Sequence, residues 1–116
     1  MQEIMNLIYS TFDEMGYTYF RQGSWGDDPY PDSFFTFWNV DSELLAHYNN
    51  KSRAKGYGIQ IYFYTNEPEI IYTKFDELLE KLENKGFILE DGGWDIPSDV
   101  PTHIGRTTMI SYRKNK

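Results

Sequence analysis

Apolar residues Ile4, Leu7, Ile8, Phe12 and Met15 fall on one stripe of a helix turning about 100° per residue, so the pattern predicts an amphipathic helix over 2–15 closed by Gly16. Tyr17 to Gln22 is aromatic and β-branched and predicts a first strand, which ends in a glycine and aspartate cluster from Gly23 to Asp32. Within that cluster Pro29 and Pro31 hold Tyr30 in an extended connection. Ser33 to Val40 reads as a second strand, with Phe35 and Phe37 on one face and Phe34, Trp38 and Val40 on the other. A strand apolar on both faces is not half-solvated, so helices or a second subunit must cover its far face. Residues 41–56 are polar and rich in Asn and Lys, and predict a long loop with a short helical turn around Leu44 and Leu45. The clearest alternation runs from Tyr57 to Tyr64, with Tyr57, Ile59, Ile61 and Phe63 on one face and Gln60, Tyr62 and Tyr64 on the other, the signature of a central strand.

Pro68 fits the first turn of a second helix, placed at about 68–85, whose stripe is Ile71, Phe75, Leu78, Leu79 and Leu82 and whose end is Gly86. Phe87 to Leu89 predicts a short strand, Asp91-Gly92-Gly93 a turn, and 94–103, with Pro97 and Pro101, a polar connection before a last strand at 106–113. The expected fold is α+β, one domain over 1–116, with an antiparallel sheet of about four to five strands and two helices packed on one face.

Composition narrows the function. The chain has 116 residues and no cysteine, which excludes a disulfide scaffold, a thiolate zinc site, an iron–sulfur cluster and a thiol nucleophile. Eleven Lys plus Arg against eighteen Asp plus Glu leave a net charge of −7, unsuited to a free-standing nucleic-acid-binding domain. The N-terminal residues have no basic segment followed by an apolar run, and no stretch approaches the length of a membrane span, so a soluble, unprocessed chain is expected. Three Trp, ten Tyr and eight Phe are more than two short helices can cover, and aromatic surfaces are where subunits meet.

Motifs for chemistry are missing. His47 and His103 stand in predicted loops without a second ligand at metal spacing, and Asp91, Asp95 and Asp99 depart from the calcium-loop order at Gly92, Gly93 and Pro97. No glycine pattern forms a nucleophile elbow or a phosphate loop. No catalytic, cofactor-binding or metal-ligating residue is therefore named, and a protein that is not an enzyme is expected. The basic clusters Lys51/Arg53/Lys55 and Arg113/Lys114/Lys116 read as exposed charges or as partners for an acidic neighbour. The outer face of the second helix carries Asp76, Glu77, Glu80 and Glu83 with Lys81 and Lys85, and predicts i,i+4 pairs such as Glu77/Lys81.

Landmarks in fixed order carry a family resemblance. They are the N-terminal helix, the proline and aromatic lead-in Pro29-Tyr30-Pro31-Asp32-Ser33-Phe34-Phe35-Thr36-Phe37, the alternating strand Tyr57 to Tyr64, and the helix end Lys85-Gly86-Phe87. Thr102-His103-Ile104-Gly105-Arg106 then leads into Ile110-Ser111-Tyr112. Over nearly its whole length the chain resembles the small tail-completion or tail-terminator proteins of long-tailed phages and of prophages in Gram-positive bacteria. The resemblance implies a non-enzymatic virion-assembly subunit forming a ring, a hexamer, on the head-proximal end of the tail tube. Its partners would be further copies of itself, the tail-tube protein and the head connector, with DNA passing through unbound and no membrane involved. It would work in the bacterial cytoplasm during assembly and end in the virion at the head–tail junction. On this reading the interface candidates are Tyr30, Phe34, Trp38, Lys51, Arg53, Lys55, Trp94, Asp95 and His103. The Asp91 to Pro101 loop is longer than the family pattern. A second reading from composition is a small acidic adaptor or inhibitor that binds a basic protein through clustered carboxylates.

Overall fold

The computed structural model describes residues 2–24, 26, 29–40 and 55–114. Helix α1 (Gln2–Met15) is followed by strands β1 (Thr18–Arg21), β2 (Ser33–Val40) and β3 (Lys55–Thr65). A 3-10 turn (Pro68–Ile70) runs into helix α2 (Ile71–Asn84), and β4 (Ile88–Leu89), β5 (Trp94–Ile96) and β6 (Ile104–Lys114) complete the chain. The sheet order is β1-β2-β3-β6-β4, and β5 also pairs with β6. Because β4 meets β6 at Ser111 and Ile110 while β5 meets it from Thr107 to Gly105, the two short strands lie end to end along one edge.

The α+β class and the two helices packed against the sheet agree with the sequence reading, but the sheet is mixed and six-stranded rather than antiparallel with four to five strands. β1 runs parallel to β2, in register from Thr18↔Phe34 to Arg21↔Phe37. Side-chain alternation is the same in parallel and antiparallel strands, so the pattern of Tyr17 to Gln22 carries no direction. β5 was expected as part of a polar connection because it is three residues long, lies at an edge and has little buried surface to mark it.

The stripes of α1 and α2 close the core. Ile4, Ile8 and Phe12 from α1 and Ile71, Phe75, Leu78 and Leu82 from α2 bury themselves against Phe35, Phe37, Ile59, Ile61, Phe63 and Ile110 of the sheet. At the centre the Phe12 ring stacks on Phe35, with centroids 4.4 Å apart and planes 14° from parallel. Burying such a side chain contributes about 1.5–3 kcal/mol. α2 ends as its glycine demands: Gly86 takes φ 99°, its N–H donates to Glu83 O and that of Phe87 to Leu82 O. This 5→2 and 6→1 pair is a Schellman cap, and it turns Phe87 into the core.

Three smaller expectations change. The predicted helix at 68–85 is split, since Pro68 opens a 3-10 turn and regular helix starts only at Ile71. Lys81 does not pair with Glu77; Glu77 meets Lys74 at 3.4 Å, and Lys81 and Lys85 both reach across to Glu14 of α1, at 3.4 and 2.7 Å. An exposed i,i+4 pair is worth only a few tenths of a kcal/mol, so a carboxylate offered by the neighbouring helix takes over easily. Lys55 begins β3 rather than ending a loop. The helical turn expected at Leu44 and Leu45 falls outside the described residues, as does His47.

Candidate functional site

With α1 and α2 both on one side, no helix among the described residues lies over the other side of the sheet. Its rows follow from the register. Phe34, Tyr64, Gly105 and Ile96 form one row across β2, β3, β6 and β5; Phe20, Thr36, Tyr62, Thr107 and Trp94 the next; and Trp38, Gln60 and Met109 a third. The far face of β2 is therefore covered in part by the chain's own aromatic rings. Phe34 stacks on Phe20, Tyr30 and Tyr64 at 5.3, 5.1 and 5.2 Å and is buried, while Trp38, beyond the last paired residue of β1, stays 48 % exposed.

The Thr102 to Arg106 segment explains how this face is assembled. His103 is buried, and its Nε2–H donates to the Pro31 carbonyl at 2.8 Å while Nδ1 lies 2.9 Å from the Thr102 hydroxyl. That bond pins the Pro29 to Pro31 segment, so that Tyr30 lies over Phe34. Gly105 lets the Tyr64 ring lie directly on the β6 backbone, where a Cβ would stand 2.7 Å from Tyr64 Cε1. Arg106 points to the helix side, where Nη1 donates to Asp95 at 2.7 Å and the guanidinium carbon lies 5.1 Å over Tyr72 and 5.3 Å over Phe75. The hydrogen bond from Arg106, then that from the Tyr72 hydroxyl, holds the Asp95 carboxyl below its usual range.

Between the rings and the 98–100 segment lies a cleft lined by Phe20, Tyr30, Phe34, Thr36 and Tyr64, with Asp99 its one charged lining residue among the described residues. Burial, followed by the nearby Tyr62 and Asp99, pushes the Tyr64 hydroxyl up to about 12. It stays neutral at any working pH. Burial also raises the Tyr62 hydroxyl, against the opposing hydrogen bond from the Trp38 indole. The Thr36 hydroxyl is buried without a hydrogen-bond partner among the described residues. On the same face Gln60 Nε2 donates to Thr107 Oγ1, and further along β6 Ser111 Oγ donates to Glu90.

Of the sequence candidates, the fold brings Tyr30, Phe34 and His103 together and places Trp38 and Trp94 on the same face towards opposite edges. Asp95 is separated from them, on the helix side with Arg106 and Tyr72. Lys51 and Arg53 lie outside the described residues, and Lys55 is placed by its backbone alone. Phe20, Thr36, Tyr62 and Tyr64 were not named as site candidates from sequence, and Asp99 was weighed only against a calcium loop. The parity of Phe34 and Trp38 against Tyr62 and Tyr64 held the signal, but only the β2–β3 register turns two alternations into one face. Among the described residues no group of three or more His, Asp or Glu could hold a metal ion, and no helix is long and apolar enough to cross a membrane.

No protein-family model matches the chain, and no curated protein matches it significantly.

Proposed function

We propose that this chain is a non-enzymatic assembly subunit that joins copies of itself through the face of its sheet opposite α1 and α2, closing a ring of about six like the phage tail terminators its sequence resembles. In that role it caps the tail tube during assembly in the bacterial cytoplasm and joins it to the head in the virion. The observation that carries the reading is the position of the two exposed tryptophans. Trp38 lies towards the β1 edge and Trp94 on the β5 edge of one face, 48 % and 46 % exposed. A closed ring uses two different patches on opposite flanks of each subunit, and tryptophan is the side chain most enriched at the energetic centre of interfaces. The net charge of −7 suits a lumen through which DNA slides without being held.

The test is light scattering after size-exclusion chromatography of the parent chain and of Trp38→Asp and Trp94→Asp. The expected result is an oligomer of about six for the parent and monomers with unchanged circular dichroism for both variants. Assembly of the variants equal to that of the parent would overturn the use of this face. The acidic-adaptor reading is favoured by a different observation, the exposed carboxylates Asp76, Glu80 and Glu83 on the outer side of α2. It predicts a chain that stays small and binds a basic protein with steep salt dependence.

A further inference from the structure

We propose that the segment from Gly92 to Pro97, which carries β5, is a strap that opens from the edge of the sheet while the core stays folded, and that the Asp95 carboxylate is its latch. Burial does little to hold the segment, since Trp94 and Asp95 are exposed and Ile96 is half-buried. The strand beneath it is held differently. β6 pairs with β3 along its whole length, from Ile104 to Lys114, and carries the fully buried Thr107, Thr108 and Ile110. A three-residue edge strand with so little buried surface opens at a fraction of the free energy that unfolding the core requires. Gly92 and Gly93, the latter at φ 85°, supply a hinge at one end, and Pro97 ends the strand at the other.

Polar contacts fasten the strap. Asp95 Oδ1 accepts from Arg106 Nη1 at 2.7 Å and Oδ2 from the Tyr72 hydroxyl at 2.9 Å, so one carboxylate ties β5 to β6 and to α2 together. The guanidinium keeps its place without that bond, because it lies 5.1 Å over Tyr72 and 5.3 Å over Phe75. At the hinge, Asp91 Oδ1 accepts from the Gly93 N–H at 2.9 Å and from the Thr108 hydroxyl at 2.7 Å, which fixes the near end to β6 and leaves the strand itself to Asp95. A charge-assisted bond is about twice as strong as a neutral one, but the Asp95 side chain is 61 % exposed, so water and salt compete for it. Such a bond holds a short strand and also lets it go. Opening carries Trp94 away from the sheet, so on the ring reading the latch sets whether that tryptophan is presented; the opening itself needs no assembly.

The experiment is native-state hydrogen exchange of the full chain, read amide by amide by nuclear magnetic resonance, for the parent, Asp95→Ala, Tyr72→Phe and Asp76→Asn. In the parent the β5 amides bonded to β6 should be at least about tenfold less protected than those of Ile59 to Phe63 in β3. Asp95→Ala should lower the protection of the β5 amides by a further factor of at least about five, and Tyr72→Phe, which removes one of the two bonds and keeps the ring, by about two. The amides of Ile59 to Phe63 should be unchanged in both, which verifies that the fold is kept. Asp76→Asn, an exposed carboxylate on the outer side of α2, should alter neither set. Strap amides as protected as the core, a loss that core and strap share equally, no loss in Asp95→Ala, or an equal loss in Asp76→Asn would overturn the proposal. A chain that stays monomeric removes the ring and leaves the latch, and a ring whose strap exchanges only with the core does the reverse.

Discussion

Replacing Gly105 by alanine should damage the sheet face opposite α1 and α2 from a position with no side chain of its own. The added Cβ would stand 2.7 and 2.8 Å from Tyr64 Cε1 and Cδ1 and 3.0 Å from Ile96 Cγ1, closer than carbon atoms pack. A tyrosine ring has only two torsions with which to retreat, and this one is held against Phe34 at 5.2 Å. Overpacking of this kind costs about 1–3 kcal/mol, and the disturbed ring pair up to about 1 kcal/mol more, so a loss of about 2–3 kcal/mol is expected. For 116 residues the unfolding entropy is about 0.24 kcal/mol/K, which converts that loss into a fall in Tm of about 8–12 °C. Thermal unfolding followed by circular dichroism measures it. Gly92→Ala, where nothing lies within 4 Å of the new Cβ, is the control and should stay within about 0.5 kcal/mol of the parent. In a Tyr64→Ala background the Gly105→Ala cost should shrink to below about 1 kcal/mol, since the two side chains act on each other. A Tm near the parent's, or an equal cost with and without the Tyr64 ring, would refute the close-approach argument.

Gly93→Ala should be at least as damaging, because the residue has φ 85° and its Cβ would meet the fully buried Phe75 at 2.7 Å. Chemical denaturation should show a loss of about 2 kcal/mol or more, and a neutral result would mean that the β4–β5 turn yields freely. Thr36→Val exchanges a buried hydroxyl without a partner for a methyl of the same size, and should raise stability by about 1 kcal/mol. A loss of that size would reveal a bond that the hydroxyl makes. Glu14→Gln tests the bridge between the helices: the hydrogen bond from Lys85, with that from Lys81, lowers the Glu14 carboxyl below its ordinary 4.5. A carboxyl lowered on folding stabilises above its unfolded value and loses that contribution as pH falls through the folded one. The variant should thus unfold more easily than the parent at neutral pH and equally easily in strong acid; a gap that persists in acid would show that the bridge is not its source.

The elements with a buried stripe were legible in the sequence because burial imposes a period: α1, α2, β2 and the middle of β3 fall where the apolar spacing puts them. β5 was not, since Trp94-Asp95-Ile96 is half-exposed and owes its strand geometry to the β6 edge beside it. Strand direction was hidden for the reason that hides it in any short strand, as Thr18 to Arg21 would alternate in the same way either way round. For the site, Tyr30, Phe34 and Trp38 stood out by bulk and proline context, whereas Tyr64 and Thr36 needed the register of β2 on β3 to share a face with them. Asp95 looked like part of an acidic loop. Its partner, Arg106, is eleven residues on and comes beside it only when β5 pairs with β6.

The measurement that bears most directly on the proposed role is the mass of the parent chain in solution, by light scattering from micromolar to near-millimolar concentration. A closed assembly of about six copies that Trp38→Asp dissolves into folded monomers is the predicted result. A parent that stays monomeric throughout, or an assembly that Trp38→Asp leaves intact, would contradict it.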